Sequence, residues 1–201
     1  QMILYSRDIL ERNPGAKIVF DVKCSSLLPK DISEHGGEPI MSRTGHSFIK
    51  AKLKETGAAL GGEMSGHIFF KERWYGFDDA LYTGARLLEI ISKTDQTCAE
   101  VFADLPDSIN TPEINIHFDE QGDQFKAMDK LATNVDFEGA EITTIDGVRV
   151  DYPNGWGLVR PSNTTPCLVL RFEADNQKTI EDIQTKFRTW LEANDISTKD
   201  F

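Results

Sequence analysis

Gly61-Gly62-Glu63-Met64-Ser65-Gly66-His67 is the first stretch of the chain whose residue types and spacing suggest chemistry. Three glycines let a backbone turn tightly and come close to a ligand. Glu63, Ser65 and His67 alternate, so in an extended segment their side chains leave in one direction. A carboxylate accepts hydrogen bonds from two neighbouring hydroxyls, the arrangement that grips a vicinal diol. The same residues also suit a hairpin turn with solvated polar positions, and spacing alone leaves both readings open.

A second set is Arg160-Pro161-Ser162-Asn163-Thr164-Thr165-Pro166. Its guanidinium, hydroxyls and amide are all donors, and together they suit a phosphate or sulfate. A plain loop of turn-forming residues has the same composition. A third set is scattered. Lys23 follows the run Ile18 to Val22, and His46 lies in Arg43-Thr44-Gly45-His46-Ser47, between a strand pattern and a helix pattern. Ligands bind beyond the C-terminal ends of strands in parallel α/β sheets. Lys23, His46 and Glu63 are therefore expected to converge on one rim. His35 and His117 lack such support and read as surface residues. The aromatics of Lys71 to Asp79 read as packing a strand-to-helix junction, with Asp78 and Asp79 at the helix N-terminus.

The elements that must position these residues follow from periodicity. Met2 to Asn13 reads as a helix stopped by Pro14-Gly15, and Ile18 to Val22 as a buried strand. Ser26 to His35 is a helix closed by Gly36-Gly37, Pro39 to Met41 a strand, and Phe48 to Glu55 a helix ending at Gly57. Ala58 to Leu60 and Ile68 to Phe70 are strands flanking the glycine-rich turn. Asp78-Asp79 opens a helix to about Lys93 with a Leu81, Ala85, Leu88, Ile91 stripe of helical period. A short helix near Cys98 to Leu105 precedes the turn-rich stretch Pro106 to Pro112, where a domain boundary is placed. Beyond it, Ile114, Ile116 and Phe118 alternate as a strand, and Phe125, Met128, Leu131 and Val135 mark a helix. Ile142 to Tyr152 reads as a hairpin with a two-residue Asp146-Gly147 turn. Gly157 to Arg160 and Leu168 to Phe172 pair next, and Ile180 to Leu191 is a closing helix. The expectation is α/β: a layered domain with a mixed sheet over 1–107, then a small α+β domain, β-α-β-β-β-α, over 108–201.

Composition narrows the function class. The 201 residues carry 22 Lys and Arg against 33 Asp and Glu, a net charge of −11. That balance argues against nucleic acid and against a polybasic membrane anchor. It leaves room for an anionic small molecule held by a few local cations. Three dispersed cysteines support neither a disulfide framework nor a zinc site, and the cytoplasm is the simplest compartment. No apolar run approaches the ~18 residues of a membrane span, and no signal peptide is recognisable. The chain begins at Gln1, inside a helical pattern and without Met, and is expected to be part of something longer.

Gly62 to His67, followed by Phe69-Phe70-Lys71-Glu72-Arg73-Trp74, Gly76 to Asp79 and Arg86 to Glu89, resembles the third domain of bacterial phosphomannomutase/phosphoglucomutase, a branch of the α-D-phosphohexomutase family. Arg160 to Pro166, followed by Leu168 to Ala174, is similar to that family's fourth domain and its phosphate-binding loop. Asp21 to Cys24 and Thr44 to Ser47 also match. The resemblance implies an isomerase of carbohydrate metabolism. It interconverts hexose 1-phosphate and hexose 6-phosphate of mannose or glucose through a bisphosphorylated sugar that reorients in the cleft. It implies that Glu63 and Ser65 hold ring hydroxyls and that Arg160, Ser162, Asn163 and Thr164 hold the phosphate not being transferred. Lys23 and His46 are implied as further substrate contacts, and His67 as a position for proton transfer. Glucose and mannose share O3 and O4, so a diol grip at Glu63 would serve both sugars. The family's cleft closes by rotation of its last domain, which places a hinge near the boundary.

Two family motifs are missing: the phosphoserine loop Thr-Ala-Ser-His-Asn-Pro and the magnesium loop Asp-Gly-Asp-Gly-Asp-Arg. The expectation is therefore a substrate-binding half without phosphoryl donor or metal ligands, whose partners are a phosphohexose and the family's first two domains. Magnesium belongs to the parent enzyme, and this half alone should bind without turnover. The alternatives are a phosphoglucosamine mutase fragment and a non-catalytic phosphosugar-binding module.

Overall fold

A computed structural model describes every residue except Asp200. The chain forms two compact units, Gln1–Asp107 and Ser108–Phe201.

The first unit runs α1 (Met2–Arg12), β1 (Lys17–Asp21), α2 (Leu27–Glu34), β2 (Glu38–Ser42), α3 (His46–Thr56), β3 (Leu60–Gly62), β4 (Ile68–Phe70), α4 (Ala80–Ser92) and α5 (Cys98–Ala103). Its sheet has the order β2-β1-β3-β4. The first three strands are parallel, and β4 returns antiparallel to β3. The apolar run of β1 is continuous because both faces are covered. Ile18 and Phe20 join Tyr5, Ile9, Leu28 and Ile32 from α1 and α2 in one core. Val19, between them, points the other way and packs with Ile49 and Leu53 of α3. The result is an α/β/α layering around a mixed sheet.

Two details depart from the sequence reading. Gly61 and Gly62 belong to β3 rather than to the turn. They are glycines for want of space: a Cβ on Gly61 would lie 2.7 Å from Ile49 Cγ2, and one on Gly62 would collide with Met2. The Leu81, Ala85, Leu88, Ile91 stripe of α4 is not its buried face either. Leu81 is 89% and Leu88 68% exposed, while Tyr82, Leu87 and Ile90 pack on the core. Arg86 is the buried residue of α4, paired with Asp8 (3.1 Å) and Glu72 (2.9 Å) and lying 4.5 Å over the Phe70 ring. Two faces of α4 are apolar, and periodicity could not choose between them.

The second unit runs β5 (Ile109–Asn110), β6 (Ile114–His117), α6 (Asp123–Ala132), β7 (Glu141–Thr143), β8 (Val148–Tyr152), β9 (Gly155–Pro161), β10 (Cys167–Ala174) and α7 (Gln177–Ala193). The antiparallel sheet has the order β5-β10-β9-β8-β7, with β6 also on β10. Alternation turns Val148, Val150, Leu168, Leu170 and Phe172 to the face where α6 and α7 contribute Met128, Leu131, Ile180, Ile183 and Phe187. The α+β class holds, but the order is β-β-α-β-β-β-β-α: β5 is the one strand absent from the segments read as strands, and the formula β-α-β-β-β-α counts one strand too few for those segments. β5 was hidden because it is two residues long inside a proline-bounded stretch. Thr111 beside it donates its N–H to Phe172 O (2.9 Å), so residues 109–111 belong to this sheet and not to a linker.

The β7–β8 connection is also corrected. Its last cross-strand pair before the turn is Thr143 with Arg149, so Asp146-Gly147 is not a two-residue hairpin turn. Asp146 is 5% exposed, which no turn-tip aspartate would be. In α6, Phe125 is exposed at 41% and the fully buried Gln124 takes the inward place.

Candidate functional site

The parallel order of β1, β2 and β3 puts their C-terminal ends on one edge, and the segments that follow carry Lys23, His46 and Glu63. The structure brings these segments together. Glu63 is 4% exposed, and its Oε1 accepts the N–H of Gly45, the residue before His46, at 2.5 Å. Burial pushes the Glu63 carboxyl above its ordinary range, also aided by Asp21. The Gly45 N–H, His67 and Lys23 pull the other way. Lys23 is buried at the same rim, whereas the side chain of His46 is exposed at the first turn of α3.

The β3–β4 connection is a tight turn in which Gly66 N donates to Glu63 O (3.0 Å) and Glu63 N donates to His67 O (2.9 Å). Gly66 has φ +92°, a conformation that favours glycine. Ser65 and His67 are exposed at this turn. The His67 ring is held: Nδ1 lies 2.5 Å from Asp78 Oδ2. A carboxylate on Nδ1 fixes the ring's orientation and its tautomer, leaving Nε2 as the working nitrogen. The sequence reads Asp78 as a helix-terminus residue within a family-matching stretch, with no tie to His67. Asp79, not Asp78, caps α4, accepting the Tyr82 N–H at 2.9 Å.

Asp21, fully buried at the end of β1, lies in a stretch that matches the family, but the sequence reading gives it no role. Its Oδ2 accepts from the Thr44 hydroxyl (2.9 Å), and its Oδ1 from Met64 N (3.1 Å) and the Cys24 thiol (3.1 Å). One carboxylate thus joins the segments after all three parallel strands. The available signal was an acidic residue closing a strand that is otherwise apolar.

In the second unit the 160–166 segment comprises the end of β9 and the connection to β10. Arg160 is 4% exposed and its Nε donates to Asp146 Oδ2 at 2.9 Å, while its Nη2 is buried without a partner among the described residues. Ser162 is buried and faces inward. Its Oγ accepts the N–H groups of Thr164 (3.3 Å) and Thr165 (3.2 Å) and lies 2.9 Å from Thr165 Oγ1. Those two N–H groups are committed to the loop itself. Asn163 and Thr164 present exposed side chains. Gln124 braces the loop from beneath, its Nε2 donating to Ser162 O and Thr165 O at 3.3 Å.

A cavity of about 520 Å³ between Phe137, Tyr152 and Trp190 includes none of these residues. Among the described residues no helix is long and apolar enough to cross a membrane, and no group of three His, Cys, Asp or Glu is placed to hold a metal ion.

The sequence matches the family described as "Phosphoglucomutase/phosphomannomutase, alpha/beta/alpha domain III" over residues 1–109 and "Phosphoglucomutase/phosphomannomutase, C-terminal domain" over 113–189. It is 60% identical over 195 residues to a phosphoglucomutase of Neisseria meningitidis serogroup A, covering 96% of this chain and 42% of that protein. It is 58% identical over 190 residues to a phosphomannomutase/phosphoglucomutase of Pseudomonas putida, covering 94% of this chain and 41% of that protein. A crystal structure of a phosphoglucomutase/phosphomannomutase family protein from Burkholderia thailandensis superposes with a TM-score of 0.91 at 50% identity, over all of this chain and 42% of that one. This chain thus spans about 42% of the length of the curated relatives it matches. With both units matched in order and the fold shared, the chain belongs to the phosphoglucomutase/phosphomannomutase family, over its third and C-terminal domains.

Proposed function

We propose that this chain is the substrate-holding half of a phosphohexomutase that interconverts the 1- and 6-phosphates of glucose and mannose. The observation that carries the reading is the buried Glu63 carboxylate at the common rim of three parallel strands, with Lys23 beside it in the same field. An ionised carboxylate has about four acceptor positions. Gly45 N–H occupies one at Oε1, which leaves acceptor capacity for two vicinal sugar hydroxyls. Ser65 adds a hydroxyl from the same turn, and Lys23 and His46 bear on the substrate's charge. His67, oriented by Asp78, is placed for proton transfer at Nε2. In the second unit Arg160, Asn163 and Thr164 take a phosphate, and Ser162 shapes their loop. Relatives near 60% identity are named phosphoglucomutase or phosphomannomutase/phosphoglucomutase, which favours glucose and mannose over glucosamine.

Phosphoryl transfer itself needs a donor and charge stabilisation that these side chains do not supply. A magnesium ion in the parent enzyme would supply such stabilisation. Among the described residues no group of three His, Cys, Asp or Glu is placed to hold one, and the roles given above rest on side-chain donors and acceptors alone. This half therefore binds without turnover, in the cytoplasm, and works with the family's first two domains. The exposed α4 face, Leu81, Ala85 and Leu88, is where those domains dock: relatives carry more than half their length outside this match, and domain III by its name follows two others.

Calorimetric titration of this chain with mannose 1-phosphate tests the reading. Glu63→Ala and Arg160→Ala are each expected to weaken binding at least tenfold, with no product formed in any case. Equal affinity in wild type and both variants would refute it.

A further inference from the structure

We propose that Asp146 is a positioning residue for the anion loop: it aims the Arg160 guanidinium, leaving the Nη2 edge to a phosphate. The inference rests on the reading of Arg160 as a phosphate ligand and names what sets its orientation.

Arg160 and Asp146 come from different connections, β9 into the 160–166 loop and the β7–β8 turn. Their side chains are 5% and 3% exposed, and they meet through Nε and Oδ2 at 2.9 Å. A buried guanidinium needs a counter-charge, and a buried carboxylate needs donors, so neither is stable here alone. The geometry of the pair is informative. A purely structural Arg–carboxylate pair favours a two-point fork, using two nitrogens. Here Nε makes the bond and Nη2 stays buried with no acceptor among the described residues. Leaving a buried donor unmade costs its full desolvation, which points to an acceptor from outside the chain. A bond at Nε also fixes the plane of the group, because Nε is the atom nearest the flexible stem.

The backbone around Asp146 is built for the close approach. Gly147 has φ +77°, and a Cβ there would run into Val159 O and the Arg160 backbone. The turn therefore lies directly on the strand that carries Arg160, and glycine is what lets Asp146 reach Nε. A tetrahedral oxyanion, a phosphate monoester or inorganic phosphate, is the ligand class that matches an arginine edge beside the Asn163 amide and Thr164 hydroxyl.

The test uses the whole chain, inorganic phosphate as probe, and a double-mutant cycle of Asp146→Asn and Arg160→Met. Asp146→Asn is expected to weaken phosphate binding about tenfold, Arg160→Met to remove it, and the double variant to match Arg160→Met. An Arg160→Met protein that binds as wild type would refute the reading of Arg160 itself. Loss of binding in Arg160→Met with Asp146→Asn unchanged within twofold would overturn the positioning role alone. The wild-type Arg160 Nε–H resonance provides a readout that does not depend on the folding of Asp146→Asn. It should be protected from exchange without phosphate and shift when phosphate is added. Rapid exchange of that proton before addition would also overturn the proposal.

Discussion

Glu63 is subject to two opposing demands. Gripping hydroxyls requires its carboxylate, yet burial penalises that form and raises its pKa above the ordinary 4.5. The sign of the consequence is fixed. Below 4.5 the group is protonated in both folded and unfolded chains and costs nothing. As pH rises from there through the raised folded value, ionisation destabilises the fold. Glu63→Gln should therefore equal wild type in stability at pH 4 and exceed it at pH 7, as read by urea midpoints. Sugar-phosphate affinity should move the other way, with the wild-type advantage over Glu63→Gln growing through the same window. Comparing the two proteins cancels the titration of the ligand's own phosphate. An advantage that does not vary with pH would contradict the diol grip.

At the scale of elements, the rim is held by one carboxylate. Asp21 links Cys24, Thr44 and Met64, so Asp21→Ala should loosen all three segments at once. Three donors would lose their acceptor, the buried Cys24 thiol and the half-buried Thr44 hydroxyl and Met64 N–H, and a fully buried one costs about 1–3 kcal/mol. Faster amide exchange in the 43–46 and 63–66 segments checks this, and unchanged exchange would contradict it. Gly61→Ala should cost about 1–3 kcal/mol by overpacking against Ile49 and Leu53, measured as a lower urea midpoint. These are the features that the sequence showed least. β1 was plain from its apolar β-branched run, and α7 from Ile180, Ile183, Phe187 and Leu191, because burial on a regular element leaves a period. Lys23, His46 and Glu63 were placed on one rim by strand order alone. Apart from the Asp21–Cys24 contact, Asp21, Asp78 and Asp146 act across 11 to 43 residues of sequence, and pairing over that distance leaves no local pattern. Asp146-Gly147 even imitated a hairpin turn, since aspartate and glycine serve both purposes. In α4, Arg86 broke the usual rule that charge faces outward, and the two apolar faces could not be told apart without its partners.

For the molecule as a whole, net charge conceals local arrangement. The −11 total coexists with a buried cation, Arg86, ringed by Asp8, Glu72 and Glu89. Burial pushes Asp8 up, but bonds from Arg12, Lys93 and Arg86 hold it well below the usual carboxylate range. Its contribution is complete above its ordinary value near 3.8 and is lost as pH falls through the depressed folded value. Asp8→Asn should cost about 3 kcal/mol at pH 7, from a broken buried pair, and less at pH 3. Urea unfolding at the two pH values reads this directly. Leu88→Ser, on the exposed face of α4, should leave stability within about 0.5 kcal/mol. It should nevertheless weaken reconstitution with the first two domains of a relative, measured as recovered mutase activity.

The most direct measurement of the central claim is an amide NMR titration of this chain with glucose 1-phosphate, with inorganic phosphate as the control. The account predicts that phosphate alone moves the 160–165 resonances, and that the sugar phosphate moves these together with 62–67 in a Glu63-dependent way. A sugar phosphate that leaves both loops unmoved, or that shifts 62–67 equally in Glu63→Gln, would contradict it.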